Sequence, residues 1–168
     1  MIKIPHFAFS TKTKPIAREL ATEIIVENPL TNKNINVKGI WDTGATNSVI
    51  SERVFNTLQL NKIDTIPVSG VNSINHIAIV TVVNLLLPNG LRIPDIRLTV
   101  DKIAGTDVLI GMDVISMGDL AISNINNETL FSFAIPPFEN PTDLLEKANR
   151  MNNRNRKHFP PNLQNLVK

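Results

Sequence analysis

The strongest constraint on the fold is the stretch from Ile66 to Val100, where three β-prone apolar runs follow one another with little between them. Residues 66–71, 74–87 and 91–100 are rich in Ile, Val and Leu, and only Asn72-Ser73 and Pro88-Asn89-Gly90 interrupt them. Branched side chains fit the half-buried face of a pleated sheet, and Pro-Asn-Gly has the residue types of a turn. Most of the body is therefore predicted to be β-sheet. With 42% apolar and 19% charged residues in 168, burial can offset the entropy lost on folding for one ordinary domain.

The remainder of the chain extends this pattern. The run Glu23 to Val26, a turn at Asn28-Pro29-Leu30-Thr31-Asn32, and Ile35 alternating with Val37 predict a hairpin that feeds Gly39 to Trp41. A short strand and a helical turn capped at Ser51 follow, and Asn126-Asn127 separates two further strands between Ile122 and Phe133. Only Ile4 to Phe9 is strand-like in residues 1–22, which are assigned to an N-terminal arm. The domain is placed at 23–135. Pro136-Pro137 and Pro141 break regular structure, and Thr142 or Asp143 can cap a helix through Asn149. Residues 136–168 form a tail, and charge marks it as different. Residues 1–145 carry 11 basic and 14 acidic side chains, whereas 146–168 carry 6 and 1.

Composition also removes whole classes of chemistry. There is no cysteine, hence no disulfide, thiolate metal site or cysteine nucleophile. His6, His76 and His158 lie far apart and form no i, i+4 pair, so a helix-borne zinc site has no support and no metal or cofactor is expected. No secretory signal or membrane-length apolar stretch is seen, which predicts a soluble cytoplasmic protein without a membrane partner.

The residues that carry chemistry are Ile40-Trp41-Asp42-Thr43-Gly44-Ala45. Hydrolysis of an amide needs one group to deprotonate water and another to protonate the leaving nitrogen. Two carboxylates sharing one proton can do both, because like charges ~3 Å apart cannot both ionise. Asp42 follows two apolar residues, as at a buried strand end, and Gly44 permits a tight turn beside it. Asp-Thr-Gly alone also makes a surface turn. Two features add specificity: the continuation Thr46-Asn47-Ser48-Val49-Ile50, and the later run Val108-Leu109-Ile110-Gly111-Met112-Asp113, in which a strand ends at glycine and passes into a short helix.

On these two motifs, residues 23–123 resemble the retropepsin-like aspartic peptidases, the family of retroviral proteases and their cellular and bacterial relatives. The resemblance implies a mainly β fold, a closed acid-protease barrel with one short helix near the second motif. It also implies a homodimer in which one Asp42 from each copy faces the other, with Thr43 bonding across the two-fold axis and Gly44 lining the catalytic water. Ala45 resembles retroviral members and implies an optimum less acidic than that of gastric-type enzymes. The chain has one Asp-Thr-Gly, and Gly105-Thr106-Asp107 is scrambled and cannot substitute. Asp113 and Asp119 read as caps or ion-pair partners. The flap over a peptide substrate is placed at residues 67–80, with Ser69, Gly70, Val71 and Asn72 near its tip, although Gly70 is its only glycine.

The expected function is that of an aspartic endopeptidase. The alternative is a catalytically silent dimeric module that binds peptides or assembles. The tail, with Lys147, Arg150, Arg154, Arg156 and Lys157, reads as a solvated end; it has only Phe159 for stacking and no nucleic-acid motif accompanies it. Trp41 reads equally as a pocket wall or a core anchor, and Asn127-Glu128-Thr129 as an incidental glycosylation pattern.

Overall fold

The computed structural model describes residues 5–70 and 73–164. It falls into two units, Met1–Pro137 and Phe138–Lys168. In the first unit, strands β2 (Ala21–Glu27), β3 (Asn34–Trp41), β4 (Val49–Ser51), β5 (Asp64–Gly70), β6 (Ser73–Leu86), β7 (Arg92–Asp101) and β8 (Val108–Ile110) form one sheet in the order β2-β3-β8-β4-β7-β6-β5. Pairing of Ile25 with Leu86 and of Glu27 with Asn84 joins β2 to β6, closing six strands into a barrel and leaving β5 outside. The retropepsin-like barrel expected from the sequence is what forms.

The local signals explain the elements. Asn28 sits buried at the first turn, its side-chain oxygen accepting from the Leu30 amide at 2.9 Å while its amide group donates to the Leu58 carbonyl. Helix α1 (Glu52–Thr57) starts at Ser51, whose hydroxyl accepts the Val54 amide. This is an ordinary serine cap, which satisfies an amide the helix itself cannot. Gly90 ends the turn after β6 at φ +74°, a conformation that costs glycine little.

Residues 7–13 do not stay apart as an arm. They form β1 (Phe7–Thr13), paired along its length with β10 (Glu128–Ile135), which in turn pairs with β9 (Asp119–Ile125). Asn126 and Asn127 take positive φ in the turn between β9 and β10, as asparagine tolerates better than most residues. This three-stranded sheet covers the barrel through Phe9, Phe131 and Phe133, all buried, whose rings lie 5.8, 5.3 and 4.7 Å from the Trp41 ring. Trp41 is thus a core anchor, and its indole N–H donates to the Thr22 hydroxyl at 2.9 Å. Removing the largest fully buried ring, in Phe133→Ala, is expected to cost about 3–5 kcal/mol. Guanidinium unfolding at constant m-value measures it.

The second unit holds α3 (Leu144–Asn155), whose first amides, those of Leu145 and Glu146, donate to the Asp143 carboxylate. None of its residues is buried. No helix of the described residues is long and apolar enough to cross a membrane.

Candidate active site

Asp42 stands where β3 ends. Parallel pairing of Trp41 with Ile110 places the end of β8 beside it, and β4 inserts on the other side of β8, antiparallel to it. The backbone continues this arrangement past the strands, with the Asp42 amide donating to the Ile110 carbonyl at 2.9 Å and the Met112 amide donating to the Ala45 carbonyl at 2.8 Å. The two motifs are one structural unit.

Within it, the Gly44 amide donates to Asp42 Oδ1 at 2.8 Å, so the carboxylate is held by its own loop. Asp42 Oδ2 has no partner among the described residues. Asp42 is half-buried, while Thr43 and Gly44 are exposed and the Thr43 hydroxyl bonds to no described residue. Asp42, Gly44 and Ala45 line an open cleft of about 590 Å³, with Val49, Ile66 and Val68 among its apolar walls. Thr43 lies outside that lining.

Sequence reasoning missed what locks the loop. Ser48 is fully buried; its hydroxyl accepts the Gly111 amide at 2.9 Å and donates to Asp113 Oδ1 at 2.7 Å, while its amide donates to Asp113 Oδ2. Ser48 is buried and Asp113 half-buried, and polar groups withdrawn from water need their hydrogen bonds made in this way. Asp113 therefore bridges the two motifs as well as accepting from Val114 within α2 (Met112–Ile115). The signal was available in a small polar residue directly before the apolar pair Val49-Ile50.

The segment expected as a flap, residues 67–80, falls within the β5–β6 hairpin. Gly70 pairs with Ser73 at its end, and Ile66, Pro67 and Val68 reach the cleft. Ser69 and Gly70 lie in β5, whereas Val71 and Asn72 lie outside the described residues. Among the described residues no group of three or more His, Asp or Glu side chains could hold a metal ion.

Asp107, dismissed above as a second acid, is occupied elsewhere. It accepts from the Arg53 guanidinium and the Ser51 hydroxyl, and the Arg53 hydrogen bond holds its carboxyl below the usual range. A depressed carboxyl stabilises the fold above its unfolded value, near 3.9, and loses that contribution as pH falls through the lower folded value. Arg53→Ala should therefore lower the unfolding midpoint at pH 7 and approach wild type in acid. Equal denaturation curves at both pH values would contradict this.

Over residues 30–117, just over half of the chain, the sequence matches the family described as "gag-polyprotein putative aspartyl protease". The chain belongs to that family. The matched span of this aspartyl protease family member contains both motifs and the whole β5–β6 hairpin. No curated protein matches it. Its fold is similar to that of a retropepsin-like aspartic protease from Rickettsia conorii, with a TM-score of 0.51 and 16% identity over 80% of this chain and 98% of the other. Also similar is EIAV protease complexed with the inhibitor HBY-793, at 0.41 and 23% over 59% and 86%. The retroviral protease-like domain of Ddi1 from Leishmania major gives 0.39 and 17% over 65% and 91%.

Proposed function

We propose that this aspartyl protease family member is a homodimeric endopeptidase in which two Asp42 side chains, one from each copy, activate water against a peptide bond. The observation that carries the reading is the Asp42 carboxylate itself, held at Oδ1 by the Gly44 amide with Oδ2 unpartnered among the described residues, on the wall of an open cleft. A single carboxylate can take a proton from water or give one to the leaving nitrogen, but a matched pair sharing one proton does both in a single step. One Asp42 accepts the water proton as the hydroxyl attacks the carbonyl carbon. The other donates its proton to the nitrogen as the C–N bond breaks.

Two features support pairing of copies. Thr43 is exposed beside Asp42 with its hydroxyl free among the described residues, and so is available to bond its counterpart in a second copy. Strand β9 pairs on one side only among the described strands and exposes Ile122 and Ile125, 48% and 68% accessible. The substrate is an extended peptide, lying between the apolar cleft walls and the hairpin and adding its backbone to theirs. No cofactor is part of this reading, which places the protein in the cytoplasm without a membrane partner.

Cleavage of a peptide library by purified protein, followed against protein concentration, tests this reading. Specific activity should rise with concentration and level off as the dimer fills. Peptide binding without turnover at any concentration or pH would instead favour a catalytically silent module.

A further inference from the structure

The β5–β6 hairpin outruns the barrel that carries it. β6 is paired with β7 only from Ile79, opposite Val100, onward to Leu86, whereas residues 73–78 pair with β5 alone. The part that covers the cleft is thus a two-stranded ribbon, a form that is marginal in water without further contacts. The Asp64–Arg97 pair crosses at its root, where β6 already belongs to the sheet.

Above that root a second pair joins the ribbon to the barrel. His76 Nε2 lies 2.7 Å from Asp101 Oδ2, three residues beyond the last β6–β7 pairing at Ile79 and one beyond its partner Val100. The other Asp101 oxygen accepts the Lys102 amide at 2.7 Å, which fixes the carboxylate on the rim. Asp101 lines the cleft that holds Asp42, and with His76 it also lines a hollow on the other side, bounded by Glu52 and Phe55 of α1. The pair stands on the wall between the two. Glu52 and Asp101 are the charged residues that line this hollow with His76.

We infer that His76 is a positioning residue for peptide binding: by clasping Asp101 it sets the height of Ile66, Pro67 and Val68 over the cleft. The inference rests on the peptidase reading of Asp42. It assigns His76 no contact with the reacting atoms. Binding costs less when the groups that meet a ligand are already held in place, so releasing the ribbon should weaken substrate binding more than the chemical step.

The experiment uses the full chain with His76→Ala, Asp101→Ala, the double substitution, and His76→Gln, whose amide can still donate to Asp101. Each alanine variant is expected to raise KM about five- to tenfold, a loss of the order of one moderate contact, with kcat changed less than twofold. The double variant should be no worse than either single one, because each residue acts through the other, and His76→Gln should recover most of the loss. Hydrogen exchange of the amides in 66–70 and 73–78 should quicken in the alanine variants and return in His76→Gln. Additive effects, or wild-type exchange in the alanine variants, would overturn the clasp. If the wild-type chain cleaved nothing, the peptidase reading would fail, while the exchange measurement would still decide whether the clasp exists.

Discussion

Asp42→Asn is expected to reduce peptide cleavage by at least about 10³-fold while leaving the folded structure in place. The structure explains why the two consequences separate. The Gly44 amide needs only an oxygen acceptor at Oδ1, which asparagine keeps, and the half-buried site has room for an isosteric amide. What asparagine lacks is the ability to bind and release the shared proton, and the other described carboxylates near the site are held by partners of their own, with Asp101 on the same cleft lining paired to His76. Asp107 is engaged by Arg53 and Asp113 by Ser48.

Mixing sharpens the test. A heterodimer of wild type and variant contains one competent carboxylate, so added variant should suppress wild-type turnover in proportion to the heterodimers formed. Variant that retains cleavage would sink the Asp42 assignment. Suppression that is absent despite exchange of subunits would sink the two-carboxylate mechanism alone.

How much of this was legible differs by element, and the differences have physical causes. The strands from 64 to 101 were readable because their pairings are local: Thr65 meets Ile79 and Val80 meets Thr99 across short connections. The Asp-Thr-Gly-Ala and Val-Leu-Ile-Gly runs were readable because each residue type does a distinct job at a strand end. β1 was readable only over Phe7 to Phe9, since Ser10, Thr11 and Lys12 show no strong β signal and its partner β10 begins more than 110 residues later. Phe9 betrays its role only once Phe131, Phe133 and Trp41 are around it. The two polar links were hidden for the same reason. Ser48 and Asp113 are 65 residues apart, and His76 and Asp101 are 25, distances at which composition says nothing about contact.

Gly111→Ala should damage the site far more than it damages the fold. A methyl group at this position would lie 2.7 Å from the Asn47 carbonyl carbon, 2.8 Å from its oxygen and 2.9 Å from the Ala45 oxygen. All three are backbone atoms, and none can swing aside as a side-chain tip would. They belong to the loop that runs from Asp42 to Ser48, which the Gly111 and Met112 amides hold against the second motif. Relieving the overlap must push that loop away, and Asp42 with it. Overpacking of this kind costs about 1–3 kcal/mol of stability, whereas displacing a catalytic group by ~1 Å can cost about 10²-fold in rate. Gly90→Ala is the matched control. Its φ of +74° makes an added methyl unfavourable by about 1 kcal/mol, yet nothing lies within 4 Å of the new atom and the turn is not part of the cleft lining. Both variants should therefore lose stability in denaturant titrations, but under conditions where each remains folded only Gly111→Ala should lose kcat/KM. Parallel losses of stability and turnover in the two would mean that the close approach at Gly111 supports the barrel and not the placement of Asp42.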